Sequence, residues 1–144
     1  MLKKPRDRSP GQKAQHTAKW ARTMTKWLIT FNRRTGAKWN VVEFGGKAKA
    51  ESRGIVDLLA IRKDHRKDRT GLKRGDVFEM VLIQTKGGSA RPPTLEDAKR
   101  LAKVARYHNA RSIVLAEWRK GEKLNLFRLK GSTWIPAPPV EIFG

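Results

Sequence analysis

Gly54-Ile55-Val56-Asp57-Leu58-Leu59-Ala60-Ile61 is an almost continuous apolar run of strand length with a carboxylate inside it. The next such run, Phe78-Glu79-Met80-Val81-Leu82-Ile83-Gln84-Thr85-Lys86, ends on polar residues before Gly87-Gly88. Both read as buried strands bounded by glycine. In the second, the period of two puts Met80, Leu82, Gln84 and Lys86 on one face and Glu79, Val81, Ile83 and Thr85 on the other. A lone acid in an apolar strand needs a partner or a task, and Gln84 and Lys86 on a shared face supply the neighbouring polar groups.

Working outward, Trp39 to Phe44 is a short β-rich run ended by Gly45-Gly46 and predicts a first strand. Between Arg62 and Gly75 the chain is basic and poor in apolar residues, as expected of an exposed loop. After Pro92-Pro93, Thr94 is a helix cap with Asp97 at the reciprocal position, and Leu95, Ala98, Leu101, Ala102 and Ala105 form the apolar stripe of a helix running to about His108. Ser112 to Trp118 and Leu124 to Lys130 read as two strands joined by a hairpin turn at Lys120-Gly121-Glu122-Lys123. Upstream, Trp20, Met24, Trp27, Leu28 and Phe31 recur at helical spacing between Gln12 and Asn32, and the simplest role of the tryptophans is core packing, with base stacking as the alternative. The order helix, three strands, helix, two strands predicts an α/β fold with a mixed central sheet flanked by helices. Residues 1–11 carry Lys3, Lys4, Arg6 and Arg8 and read as a basic arm, 12–135 as a single domain, and 136–144 as a Pro-rich tail or edge segment.

The 144 residues hold 33 Lys and Arg against 13 Asp and Glu, a formal charge of +20. That excess predicts a polyanionic partner, DNA or RNA. No apolar run reaches transmembrane length and the basic N-terminus has no signal-peptide core, so an intracellular protein without a membrane partner is expected, cytoplasmic or nucleoid-associated. With no cysteine, thiolate zinc sites are excluded, and with them the zinc-finger route to DNA binding. The basic residues expected to meet phosphate are Arg62, Lys63, Arg66, Lys67, Arg69, Lys73 and Arg74 in the loop, with Arg91, Lys99, Arg100 and Lys103 near the second helix. His16, His65 and His108 have no metal-ligand spacing and read as surface histidines.

Asp57 on one strand and Gln84-Thr85-Lys86 on the next, followed by Gly-Gly and a capped helix, resemble the PD-(D/E)xK nuclease superfamily over roughly Trp39 to Lys130. The glycines also look like the virus-type replication-repair nucleases and the Holliday-junction-resolvase relatives. The resemblance implies a restriction-endonuclease-like core and a DNA endonuclease dependent on Mg²⁺ or Mn²⁺, with branched or structured DNA among its substrates. Asp57 would match the family's strand Asp, Lys86 its lysine, and Gln84 the position usually held by Glu or Asp, as in relatives that use Gln-x-Lys. A hard Mg²⁺ would find oxygen ligands in Asp57, the Gln84 amide and a backbone carbonyl near Thr85, and Lys86 would orient the attacking water or neutralise charge in the transition state. Many relatives add an acid from the helix before the first strand, but Gln12 to Asn32 has no Asp or Glu. Glu43 is the preferred substitute as third metal ligand and catalytic residue, then Glu51, with Gln15 or His16 after them. Relatives cut both strands by dimerising, so a homodimer is compatible with the reading. Two alternatives remain: a nuclease fold that binds DNA or RNA without cutting, and a ribosomal-type RNA binder resting on small size and basicity alone.

Overall fold

The computed structural model describes residues 10–32, 38–44, 55–64, 71, 73, 76–88 and 91–144. Its elements are α1 (Pro10–Asn32), β1 (Asn40–Glu43), β2 (Leu58–Lys63), β3 (Phe78–Gly87), α2 (Leu95–Tyr107), β4 (Ser112–Trp118), β5 (Asn125–Lys130), β6 (Thr133–Pro136) and α3 (Pro139–Phe143). The strands form one six-stranded sheet in sequence order. All pairings are antiparallel except β3 with β4, which run parallel across the α2 connection. The expected mixed α/β sheet flanked by helices is therefore present.

Side-chain alternation divides the core into two layers. Val81 and Ile83 of β3, Val114 and Ala116 of β4, and Leu58 and Ala60 of β2 pack with Ile29 of α1 and with Trp39, Ile142 and Phe143. Leu82 and Ile113 face the opposite way and pack with Leu101 and Ala105 of α2. Thr94 caps α2 as expected: its hydroxyl accepts from the Asp97 N–H while the Asp97 carboxylate accepts from the Thr94 N–H. Each cap of this kind contributes about 1 kcal/mol. Asn109, at φ 54°, turns the chain out of the helix, a left-handed conformation that Asn tolerates better than most residues. The β4–β5 turn is closed by the Glu122 N–H donating to the Arg119 carbonyl, with Gly121 at φ 79°.

Three expectations are corrected. The buried line of α1 is Ala21, Thr25 and Ile29, all fully buried, while Trp27 and Phe31 stay exposed. The reason is distance: a Cβ on Gly87 would lie 2.6 Å from the Thr17 carbonyl oxygen, so the helix approaches the end of β3 too closely for large side chains between them. Thr25 satisfies its buried hydroxyl by donating to the Ala21 carbonyl at 2.7 Å. Second, the chain makes a further strand after a two-residue turn at Gly131-Ser132, Gly131 having φ 61°. Pro136 is tolerated there because β6 is the sheet edge. Third, the Pro-rich end is no tail, since Ile142 and Phe143 of α3 are buried in the core and the Phe143 ring meets Trp39 edge to face at 5.9 Å. Among the described residues, no helix is long and apolar enough to cross a membrane.

Two substitutions check this packing by chemical denaturation. Gly87→Ala should lower stability by about 1–3 kcal/mol, because the methyl group drives α1 off the sheet. Phe143→Ala should cost about 3–5 kcal/mol, the range for a buried aromatic; a cost near zero would mean that the C-terminal segment does not dock.

Candidate functional site

Strands β3 and β4 are parallel and in register with Lys86 beside Glu117 and Gly87 beside Trp118. Their C-terminal ends thus lie together, the position where open α/β sheets usually present ligand-binding groups. Continuing the period of two from Leu82 puts Gln84 and Lys86 on the α2 side of the sheet, and continuing it from Ile113 puts Glu117 there as well.

Asp57 sits at a bend immediately before β2 rather than inside the strand. Its N–H donates to the Ile83 carbonyl at 2.9 Å and its own carbonyl accepts from the Phe44 N–H at 3.0 Å, so its backbone continues the ladder on both sides. The residue is 6% exposed. Its Oδ2 accepts from the Thr85 N–H at 2.8 Å and from the Thr85 hydroxyl at 3.2 Å. These bonds explain how a carboxylate is tolerated among Ile55, Val56 and Leu58, since a buried charge requires such donors. The antiparallel register that pairs Leu58 with Ile83 sets Asp57 opposite Gln84. The Gln84 amide oxygen is buried and receives no hydrogen bond from the described residues, a state that costs about 1–3 kcal/mol. Beside it, Lys86 Nζ lies 3.6 Å from Glu117 Oε2, the two side chains being 10% and 17% exposed. The other oxygen of Glu117 accepts from Arg119 Nε at 3.1 Å.

The sequence put Gln84 and Lys86 on one face, as the sheet alternation does, and named only a carbonyl near Thr85, missing the Thr85 N–H and hydroxyl and Glu117. The signal for Glu117 was available, because Ile113-Val114-Leu115-Ala116-Glu117 repeats the pattern of an apolar strand ending on a polar group. Thr85 was hidden between two residues that attract more notice.

Glu43 is not part of this group. Its carboxylate reaches across to α1, 3.2 Å from Arg22 Nε and 2.6 Å from Lys26 Nζ, on the face that carries Trp39 and Val41. His16 accepts a hydrogen bond from Trp20 Nε1 at 2.9 Å. Glu51, His65 and the side chain of Gln15 lie outside the described residues. Among the described residues no three His, Cys, Asp or Glu side chains gather as a metal cluster.

Of the basic residues expected to meet phosphate, Arg66, Lys67, Arg69 and Arg74 lie outside the described residues. Arg62 has a structural position instead: its guanidinium stacks 4.3 Å over the Trp39 ring, Nε donates to Glu79, and Nη1 donates to the Gly144 carbonyl at 3.1 Å. Lys63, Lys73, Arg91, Lys99, Arg100 and Lys103 are exposed. Lys99, Arg100 and Lys103 line a shallow cleft along α2 together with Glu96 and Asp97.

The hydrogen bond from Lys26, followed by the charges of Lys26 and Arg22, holds the Glu43 carboxyl below its ordinary value near 4.5 despite opposing desolvation. A lowered folded-state value means the contribution is complete above the unfolded value and fades as pH falls through the folded one. Glu43→Gln should therefore cost about 0.5–1 kcal/mol at neutral pH, the range of a partly exposed pair. The difference from wild type in urea midpoints should shrink steadily under acid; a gap independent of pH would sink the ion-pair account.

Compared with protein families and with curated proteins, the chain matches none.

Proposed function

We propose that this chain is a restriction-endonuclease-like nuclease, a metal-dependent phosphodiesterase that cuts DNA, with branched or structured DNA as the substrate class to test first. The observation that carries the reading is the Gln84 amide oxygen, buried without a partner among the described residues, opposite Asp57 and on the same face as Lys86. An unsatisfied buried oxygen beside a carboxylate suits a hard cation, which takes oxygen ligands. Asp57 and Gln84 would hold Mg²⁺ or Mn²⁺. When bound, such an ion stabilises charge developing on a phosphate and lowers the pKa of a coordinated water.

The chain's own groups divide the remaining work. The Thr85 N–H and hydroxyl fix Asp57 Oδ2 and so set the orientation of the carboxylate. Lys86 brings a positive charge to the same face, and Glu117, itself held by Arg119, keeps the ammonium at the end of the parallel pair. In hydrolysis a water oxygen bonds to phosphorus while a bond from phosphorus to a sugar oxygen breaks, and negative charge accumulates on the non-bridging oxygens. Lys86 is positioned to neutralise part of that charge, which strengthens in the transition state.

A second reading has its own support. With Glu43 engaged on the opposite face, Asp57 and Gln84 are the expected ligand side chains that lie together among the described residues, and Lys86 already has a carboxylate neighbour. On that reading the fold holds nucleic acid without cutting it.

Purified protein incubated with supercoiled plasmid and with branched duplexes in Mg²⁺, Mn²⁺ or EDTA separates the two. Metal-dependent cutting should fall roughly 100- to 1,000-fold in Asp57→Asn and in Lys86→Ala, with DNA binding retained. Gln84→Glu, which restores a negative ligand, should lower the metal concentration needed for half-maximal cutting. Equal binding with no cutting in wild type and Gln84→Glu, in either metal, would establish the second reading.

A further inference from the structure

The aromatic residues of α1 were expected in the core, and the structure leaves them outside it. Trp27 is 58% exposed and Phe31 65% exposed. Trp20 meets Trp27 edge to face at 6.0 Å and lies 6.3 Å from Trp118 at an interplanar angle of 31°. His16 continues the series, edge to face with Trp20 at 6.1 Å. Aromatic side chains gathered on a surface in this way signal a binding site rather than packing.

The surroundings identify the chemistry of the occupant. Lys19, next to Trp20 on α1, and Lys120 and Lys123, in the turn that follows Trp118, are exposed, in a chain of net charge +20. The exposed rings of Trp27 and Phe31, with Trp20 and Trp118 half-buried, and basic residues adjacent in sequence suit unpaired nucleotides, whose bases stack on rings while the phosphates meet cations. A duplex keeps its bases stacked inside and cannot use the rings in this way.

The row also adjoins the candidate site. Lys86 and Gly87 are consecutive, as are Glu117 and Trp118, and each pair sends its two residues to opposite faces of the sheet at the C-terminal ends of β3 and β4. Thr17 packs on Gly87 and Trp20 on Trp118. A strand rounding this end of the sheet would pass from the polar cluster on the α2 side to the indoles on the α1 side. We infer that Trp20, Trp27, Phe31 and Trp118 form a stacking surface for a single-stranded segment of nucleic acid. This deepens the proposed function, on which it rests, by specifying a substrate with an unpaired strand beside the scissile bond.

Binding measured in EDTA keeps the test independent of cutting. Wild-type protein should bind an oligothymidylate and a duplex with a single-stranded overhang more tightly than the blunt duplex at the same salt, with quenching of tryptophan fluorescence. Trp27→Ala and Phe31→Ala, both at exposed positions, should weaken binding of the single-stranded probes by about 5- to 150-fold for each stacked base lost and leave the blunt duplex unaffected. Trp27→Tyr should recover most of the loss. Equal affinity of wild type for overhang and blunt duplex, or equal losses on both in the variants, would overturn the inference. So would wild-type dimers in sedimentation that Trp27→Ala dissociates, since the row would then be covered by a second copy. Because Asp57→Asn should bind the overhang normally, loss of cutting and loss of stacking are read separately.

Discussion

The alternation of side chains along β3, with a helix over each face, is the constraint on which the remaining structure depends. Because β3 is hydrogen-bonded on both sides, antiparallel to β2 and parallel to β4, its register cannot shift without moving both neighbours. A slip of a single residue would exchange its faces, sending Gln84 and Lys86 under α1 and Val81 and Ile83 toward α2. Val81 and Ile83 are fully buried against the layer that includes Ile29, so the slip would sacrifice apolar burial on one face while inserting a charge in the other. The placement of the polar cluster is therefore a by-product of core packing, and it needs no separate stabilisation. The same alternation puts Gly87 under α1, where only a residue without a side chain lets the Thr17 backbone come so close.

Close approach at that end then dictates the rest of α1. A helix held near the sheet must present small residues to it, and Ala21 and Thr25 do so, with Ile29 filling the wider space toward Trp39 and Phe143. The larger side chains on the same helix are displaced to its flanks. On one flank Arg22 and Lys26 clasp Glu43 of β1; on the other Trp20 meets Trp118 of β4. The helix is thus held on both of its flanks, by charge at the edge strand β1 and by aromatic contact at the interior strand β4.

What could be read from the sequence follows from this. The β3 pattern was legible because both of its faces are mostly apolar and its end is marked by glycine, and α2 was legible because Thr94 and Asp97 specify its start chemically. Gln84 and Lys86 could be assigned to one face because strand periodicity is a local property, whereas Asp57 was joined to them only by the resemblance to a family pattern. The buried face of α1 was not legible: a helical wheel ranks tryptophan above alanine and threonine, and the choice between them was made by an interhelix-to-sheet distance fixed at Gly87, far along the chain. Glu43 was misplaced for a related reason, since which side of β1 faces α1 depends on the pairing of Glu43 with Leu58. The C-terminal segment was obscured by composition, as Pro136 and Pro138 suggest a tail until Ile142 and Phe143 are seen filling the core.

The arrangement of charge gives the basicity a structural meaning beyond its total. Glu43 on β1, Glu79 on β3 and Glu117 on β4 each engage a pair of basic side chains: Arg22 with Lys26, Arg62 with Arg111, and Lys86 with Arg119. In every case the acid sits on a strand; Glu79 and Glu117 join cations from separate segments of the chain, and Glu43 joins two from successive turns of α1. Carboxylates are so few that these glutamates neutralise only the basic groups nearest the sheet. The exposed Lys63, Lys73, Arg91, Lys99, Arg100 and Lys103 lie farther out, where mutual repulsion is relieved best by a polyanion. Local acid bridges at the sheet thus relieve part of the charge, while on the proposed function the outer cations would make association with phosphate favourable and sensitive to salt. The separation lets the outer charges turn toward a ligand without loosening the strands that hold Asp57, Gln84 and Lys86.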